Sequence, residues 1–138
     1  MEKIDFDKVY DDLEKIKNKI VKEYIEIYNS RSNDEKIGVY NSTIFGNRIG
    51  NAIDYLNDVC GGACIHFRDR RSSFFKQYKE YLRNLPGNKG SRWLDVHIFS
   101  YPHSGRQELE VNEAVANACC KYINENCGGS CYVRTYID

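Results

Sequence analysis

The sequence has few of the features that mark a membrane segment or a secreted chain. Its 138 residues include only two prolines and one tryptophan. No uninterrupted apolar run approaches the ~18 residues that a bilayer-spanning helix needs. The first residues, 1–7, lack the apolar stretch of a signal peptide. We therefore expect a protein of the cytoplasm without a membrane partner.

Net charge is also missing. Twenty basic and twenty acidic residues cancel, so no overall field attracts the chain to a nucleic-acid backbone or an anionic membrane. We find no strong nucleic-acid signal, and a charged ligand must be held by a local group. Lysine, isoleucine, asparagine and tyrosine are abundant, a composition typical of an AT-rich bacterial or phage genome. This favours a phage accessory protein that sequesters a signal or blocks a protein in the host cytoplasm.

Common catalytic motifs are absent from the sequence, including the P-loop, the dinucleotide glycine motif, the nucleophile elbow and the zinc-hydrolase helix. His66 and His97 fall inside predicted strands, where we expect them to be half-buried. His103 lies in a turn near Glu108 and Glu110, and that setting suits a general base. A nucleotide-acting hydrolase that uses His103 is therefore kept as an alternative to a protein without enzymatic activity.

The length suits one domain with one core, which we divide into a long helix over 1–30 and an α/β core over 48–138. Apolar residues recur in steps of three and four between positions 5 and 28, which predicts an amphipathic helix. They are Phe6, Val9, Leu13, Ile16, Ile20, Tyr24 and Ile27. This stripe covers either its own domain or a second copy, and a homo-oligomer formed through the helix is predicted.

One short sequence occurs twice. The segment 60–64, Cys-Gly-Gly-Ala-Cys, returns as Cys-Gly-Gly-Ser-Cys at 127–131, and the residues before each copy also align. Glycine tolerates the positive φ that the chain adopts just past a helix end. Each copy is therefore interpreted as a helix, a double-glycine stop and a strand. This predicts helices over 48–59 and 110–126, followed by strands over 65–67 and 131–137.

The other elements complete an alternating order of helices and strands. The type of the segment 36–45 is left open, with a short strand around 37–40 as one interpretation. A strand with apolar alternation is predicted over 93–101. Ser72 or Ser73 is expected to cap a helix that ends before the turn residues 86–90. This order predicts a small α/β or α+β domain around a three- or four-stranded sheet that is at least partly parallel. A mixed sheet is the main alternative.

Four of the six cysteines form the repeated pairs Cys60 with Cys64 and Cys127 with Cys131. Pairs of this kind can converge on one zinc ion if their strands are adjacent. A cysteine at a helix-to-strand turn is also a suitable small core residue. In a reducing compartment disulfides are rare. The expectation is that no cofactor is bound, with a shared zinc as the alternative.

A ligand site is predicted where strands end. If the strands run parallel, residues 68–73 and 101–107 emerge at one edge, where open α/β sheets bind ligands. Guanidinium groups beside a helix N-terminus attract phosphate. The predicted ligand residues are Arg68, Arg70, Arg71, Ser72, Tyr101, His103, Ser104, Arg106 and Arg134. Tyr101, Trp93 or Tyr136 would stack on a base.

The leading expectation is a non-enzymatic binding protein for a phosphate-bearing small molecule, most simply a nucleotide or nucleotide signal. The alternative class is a protein-interaction or inhibitor module that binds a host protein, because tyrosine and arginine are also frequent interface anchors.

Overall fold

The computed structural model describes residues 3–42, 48–85 and 98–138. These residues form three α-helices and two small antiparallel sheets. Within the same ranges, no helix has both the length and the apolarity needed to cross a membrane. Trp93, His97 and the predicted turn at 86–90 lie outside the described residues, as does the first part of the strand predicted over 93–101.

The helices begin and end close to their predicted positions. Asp5 caps the first helix by accepting the backbone N–H of Lys8 at 3.2 Å, and Ser72 caps the second by accepting that of Phe75 at 3.2 Å. The cap predicted at Ser72 or Ser73 is thus confirmed at Ser72. The helices are α1 (Phe6–Ser30), α2 (Ser73–Arg83) and α3 (Leu109–Asn126).

The strands are β1 (Ile37–Ser42), β2 (Arg48–Leu56), β3 (Gly61–Phe67), β4 (Ile98–Phe99) and β5 (Cys131–Ile137). The prediction of β5 is confirmed, and the segment around 37–40, whose type the sequence leaves open, forms β1. The predicted helix over 48–59 is wrong, because these residues form β2, which pairs antiparallel with β1 from Leu56 opposite Ile37. Gly50 explains the error: it adopts a φ of 67°, and glycine costs a helix interior about 1 kcal/mol. Ile49 and Ile53 add strand propensity.

The repeated sequence consequently adopts two different structures, so the predicted repeat of helix, stop and strand is wrong. In the second copy Gly128 has a φ of 65° just after α3, and β5 follows. In the first copy Gly61 and Gly62 lie inside β3, and the preceding element is a strand. The two copies share the positions of their glycines and cysteines, but this similarity does not determine whether a helix or a strand precedes them.

The larger sheet has the order β4-β3-β5, and β3 is antiparallel to both neighbours. The prediction of an at least partly parallel sheet is therefore wrong. The side chains of Ala63, Ile65 and Phe67 are buried, whereas those of Cys64 and His66 are partly exposed. One-sided burial of this kind is typical of antiparallel sheets, whereas parallel sheets are usually covered on both faces.

The core lies between the three helices and the inner face of this sheet. From α1, Phe6 packs against the rings of Phe74 and Tyr78 on α2, with centroids 5.6 and 5.5 Å apart. Leu13 is fully buried in the same cluster, whereas Ile27 is 48% exposed. Most of the apolar stripe of α1 therefore covers its own domain. A homo-oligomer formed through α1 stays a prediction and would have to use the exposed end of the helix.

Candidate functional site

The loop 101–107, which precedes α3, is held in place by a buried ion pair between Arg106 and Glu108. Arg106 donates from Nε and Nη2 to the two carboxylate oxygens of Glu108, at 2.9 and 3.0 Å. Glu108 is only 1% exposed and also accepts the Tyr24 hydroxyl at 3.0 Å and the Asn57 backbone N–H at 3.2 Å. The Arg106 guanidinium lies 4.8 Å from the ring centroid of Tyr28. This network joins α1, the loop and the start of α3.

The donors around Glu108 keep it ionised. Burial alone would raise its pKa, but the hydrogen bonds from Arg106, Asn57 and Tyr24 together lower that pKa below its usual value. The bond to Glu108 raises the pKa of Arg106. The charge of Arg106, predicted to hold phosphate, is thus balanced within the protein. Arg106 is better suited to fastening the loop than to binding a ligand.

Ser104, another predicted ligand residue, is bonded inside the same loop. Its hydroxyl donates to Asn112 Oδ1 and accepts the Arg106 backbone N–H at 3.1 Å. Asn112 in turn donates to the Gly61 carbonyl at 2.7 Å. These bonds fix the loop against the first residue of β3.

Tyr101 and His103 belong to the same loop. Tyr101 donates its hydroxyl to the Ala63 carbonyl at 2.6 Å, and its ring packs against the core. His103 is exposed, and its Nδ1 accepts the Gly105 N–H at 2.9 Å. Tyr101 is therefore held by the sheet, and His103 faces solvent.

The predicted arginine cluster forms the turn between β3 and α2. Arg68, Arg70 and Arg71 are all exposed there. Asp69 accepts the Arg71 backbone N–H at 2.9 Å, and its carboxylate lies 3.8 Å from Arg71 Nε. The hydroxyl of Ser72 is used as the cap of α2. The turn presents positive charge that Asp69 partly offsets.

The two predicted ligand segments lie at opposite ends of β3. Arg68 follows Phe67 at one end, whereas the loop 101–107 contacts the other, where the Gly61 N–H donates to the Gln107 carbonyl at 2.9 Å. The seven residues of β3 span about 20 Å. The structure therefore does not bring Arg68, Arg70, Arg71 and Ser72 together with Tyr101, His103, Ser104 and Arg106. The single pocket was inferred from parallel strands, and the sheet is antiparallel.

The cysteine pairs are also separated by the antiparallel register. Cys131 pairs with Phe67 at one end of β3, whereas the Cys60 carbonyl accepts the Asp138 N–H at the other. In the described part of the chain, no group of three or more His, Cys, Asp or Glu residues is placed to hold a metal ion. Cys131 is buried, and burial raises the pKa of its thiol to about 12.

We expect protein purified without added metal to contain well under one zinc ion per chain. The physical reason is the distance between the two pairs along β3, which prevents one tetrahedral site from using all four thiols. Elemental analysis of the purified protein measures this directly. Stoichiometric zinc, with loss of structure on chelation, would contradict the expectation.

Three predicted residues and one that was not predicted lie together on the outer face of the larger sheet. Side chains alternate along a strand, and since Cys131 is buried and Val133 packs against the core, Tyr132, Arg134 and Tyr136 project from the opposite face. Arg68 continues this line, because its backbone N–H donates to the carbonyl of Ser130 at 2.8 Å. Ser130 is two residues before Tyr132 in the sequence. We call this set the aromatic–arginine row: Arg68, Tyr132, Arg134 and Tyr136.

The ring contacts of the row are specific. The ring of Tyr132 stacks on that of His66, its pairing partner on β3, with ring centroids 5.6 Å apart and ring planes inclined by 23°. The guanidinium of Arg68 lies 5.5 Å from the centroid of the Tyr132 ring, within the range of a cation–π contact. Arg134 is exposed and lies opposite Cys64. The row thus alternates guanidinium groups with tyrosine rings.

Tyr136 lies across Gly62, its partner on β3. A Cβ atom at Gly62 would collide with the Tyr136 ring, so the close approach depends on glycine. Covering a strand glycine with an aromatic ring stabilises the strand. Tyr136 nevertheless remains 53% exposed, so it is available to contact another planar group.

Three of the four residues of the row were predicted from the sequence: Arg68 and Arg134 as ligand residues and Tyr136 as a stacking residue. Tyr132 was missed, and His66 was expected to be half-buried in a strand, which is confirmed. The available signal was the period of two in the segment 132–136, Tyr-Val-Arg-Thr-Tyr, which places both tyrosines and the arginine on one face.

Three cavities among the described residues lie away from the row. One of 550 Å³ opens between the start of α1 and α2, and another of 570 Å³ between the start of α1 and the end of α3. A third, of 240 Å³, lies beside Arg106 and is lined by Tyr28, Tyr55 and Gln107 among others. None of these three includes a residue of the row. Among the residues that the structure describes, the row is a surface on which Arg68, Arg134 and Tyr136 are exposed and Tyr132 is partly exposed.

Comparison of the chain with protein-family models, curated proteins and solved structures finds no match. Any functional assignment therefore rests on the chemistry of the row and of the loop 101–107.

Proposed function

We propose that the protein binds a phosphate-bearing small molecule, a nucleotide, on the aromatic–arginine row and releases it unchanged. One observation carries the proposal: on an exposed strand face, two guanidinium groups alternate with two tyrosine rings. We propose further that it does so in the cytoplasm, which is the host's if a phage encodes the chain. There it would limit the free concentration of its ligand.

The two kinds of side chain in the row match the two parts of a nucleotide. A guanidinium group binds phosphate oxygens through two parallel N–H donors. A tyrosine ring stacks on a base of any sequence, because every base has a π-face. Since the chain has no net charge, this local arrangement is the source of attraction that a phosphate would meet. Arg70 and Arg71 add positive charge beyond Arg68.

The position of His103 separates it from one end of the row. It is exposed on the loop at the Gly61 end of β3, the end where Tyr136 also lies, whereas Arg68 and Tyr132 lie at the Phe67 end. A general base has to reach the reacting group within about 3 Å or through one water molecule. A phosphate held by Arg68 would be too distant from His103 for this.

Replacing Arg68 or Arg134 with alanine should weaken nucleotide binding about tenfold each, the effect of losing one charge-assisted hydrogen bond. Folding stability should change by less than about 0.5 kcal/mol, because both side chains are exposed. Calorimetric titration with a nucleoside triphosphate and with inorganic phosphate measures the affinities. Chromatography of the recovered nucleotide tests whether it is altered.

Arg83→Ala is the matched control, because Arg83 is exposed in the last turn of α2 and lies outside the row. Arg68→Lys should recover only part of the affinity, since lysine lacks the planar fork. Equal affinities for the Arg68, Arg134 and Arg83 variants would rule out the row as the binding site. A hydrolysed nucleotide would instead support the enzyme that uses His103.

The second candidate, a protein-interaction module, is favoured by exposed apolar side chains outside the row. Ile25 and Ile27 on α1 and Ile37 on β1 are large apolar side chains that remain more than a third exposed. Such side chains suit a contact with a second copy of the chain or with a host protein. This candidate predicts that nucleotides leave the melting temperature unchanged, whereas a nucleotide-binding protein would be stabilised by mass action.

A further inference from the structure

The aromatic–arginine row is longer than a single nucleotide requires. Tyr132 and Tyr136 are four residues apart on β5, which corresponds to about 13 Å. Consecutive bases of one strand are separated by about 3.4 Å along a nucleic-acid helix. Bases on both rings would therefore belong to different nucleotides, about four helical steps apart or fewer if the strand is extended.

Resting on the proposed function, we infer that the ligand of the row is a single-stranded segment of nucleic acid of about three to five nucleotides. The order of the row carries this inference. Arg134 lies between the two tyrosines, where a phosphate of the nucleotides between the two stacked bases would pass, and Arg68 lies beyond Tyr132, where a further phosphate would be. A mononucleotide would use only half of this arrangement.

The strand must be single because the rings need base faces. In a duplex the faces are buried in the stack, whereas a splayed single strand presents them to aromatic side chains on an open sheet. The bases stack without base-edge contacts from the row, so the sequence preference should be weak. His66, stacked on Tyr132, supports the ring from β3.

A carboxylate limits the segment at one end. Asp138 follows β5 there and disfavours a phosphate beyond Tyr136 by like-charge repulsion. At the other end, Asp69 offsets only part of the positive charge that Arg70 and Arg71 add beyond Arg68. With two phosphates held by Arg68 and Arg134, the logarithm of the association constant should fall against the logarithm of salt concentration with a slope of about −1.4.

The experiment compares four probes on the full chain by fluorescence anisotropy and calorimetry. They are inorganic phosphate, a nucleoside monophosphate, a mixed-sequence tetranucleotide as DNA or RNA, and a duplex carrying the same sequence. We expect the single-stranded tetranucleotide to bind at least tenfold more tightly than the mononucleotide and than the duplex. The DNA and RNA probes separate the two sources of the same base and phosphate chemistry.

Substitution of Tyr136 distinguishes the inference from the proposed function. Tyr136→Leu, which still covers Gly62, should lower the tetranucleotide affinity about tenfold and the mononucleotide affinity by less, because a single base stacks on only one of the two rings. Tyr136→Phe keeps the π-face and should retain the affinity of the original protein. Thr135→Ala, on the other face of β5, is the control. Circular dichroism verifies that each variant is folded.

Three outcomes would decide against the inference. A tetranucleotide that binds no more tightly than the mononucleotide overturns it and leaves the proposed function intact. A duplex that binds as tightly as the single strand overturns it as well, because base faces would then be irrelevant. If neither mononucleotide nor tetranucleotide binds, the inference and the proposed function both fail.

Discussion

Replacing Glu108 with alanine should lower the free energy of unfolding by about 3 kcal/mol at neutral pH. Removing one member of a buried ion pair costs about 3–5 kcal/mol, because the other charge is left without its partner. Arg106 retains some exposure, with 23% of its side chain accessible, which favours the lower end. The variant also leaves the Tyr24 hydroxyl and the Asn57 N–H without their acceptor, because both donate to this carboxylate. Urea unfolding measures the change.

The effect should depend on pH in a defined direction. The folded protein lowers the pKa of Glu108, whereas an unfolded glutamate titrates near 4.3. A group with a lowered folded pKa stabilises the protein above its unfolded pKa, and this contribution is lost as the pH falls through the folded value. The stability difference between the original protein and Glu108→Gln should therefore be greatest above about pH 5 and decrease below about pH 4.

Glu113→Ala is the control for both measurements, since Glu113 is an exposed glutamate on α3. It should change the stability by less than about 0.5 kcal/mol at either pH. If Glu108→Ala is as stable as Glu113→Ala, the buried pair contributes nothing and the loop before α3 is held by other contacts. The double substitution of Arg106 and Glu108 by apolar residues should cost less than Glu108→Ala alone.

The helices could be predicted from the sequence because their signals are local. The spacing of apolar residues in α1 and the cap at Ser72 both act within a few residues, and both are confirmed. The segment 48–56 was misassigned because similarity to residues before α3 was given more weight than Gly50. Gly50 inside the segment and the β-branched residues Ile49 and Ile53 were the local signals for β2.

Strand direction could not be predicted in the same way, because it depends on pairing between distant residues. Gly61 pairs with Ile137 and Phe67 with Cys131, contacts that no short pattern specifies. The predicted pocket depended on this direction, which is why Arg68 and Arg106 were assigned to one site. The buried Glu108 was missed for a related reason: its partners Tyr24 and Asn57 come from distant parts of the chain.

The second large effect is expected at Leu13, where the interpretation of α1 is tested. Leu13→Ser should cost about 2–5 kcal/mol, because the residue is fully buried and its truncation leaves a cavity. Ile27→Ser, on the same helix but 48% exposed, should cost well under 1 kcal/mol. Urea unfolding measures both, and sedimentation gives the subunit count. If the chain assembles through α1, Ile27→Ser should yield folded monomers, whereas Leu13→Ser should unfold more readily at any concentration. A Leu13→Ser variant that is a folded monomer of unchanged stability would show that the stripe faces a second copy instead of its own core.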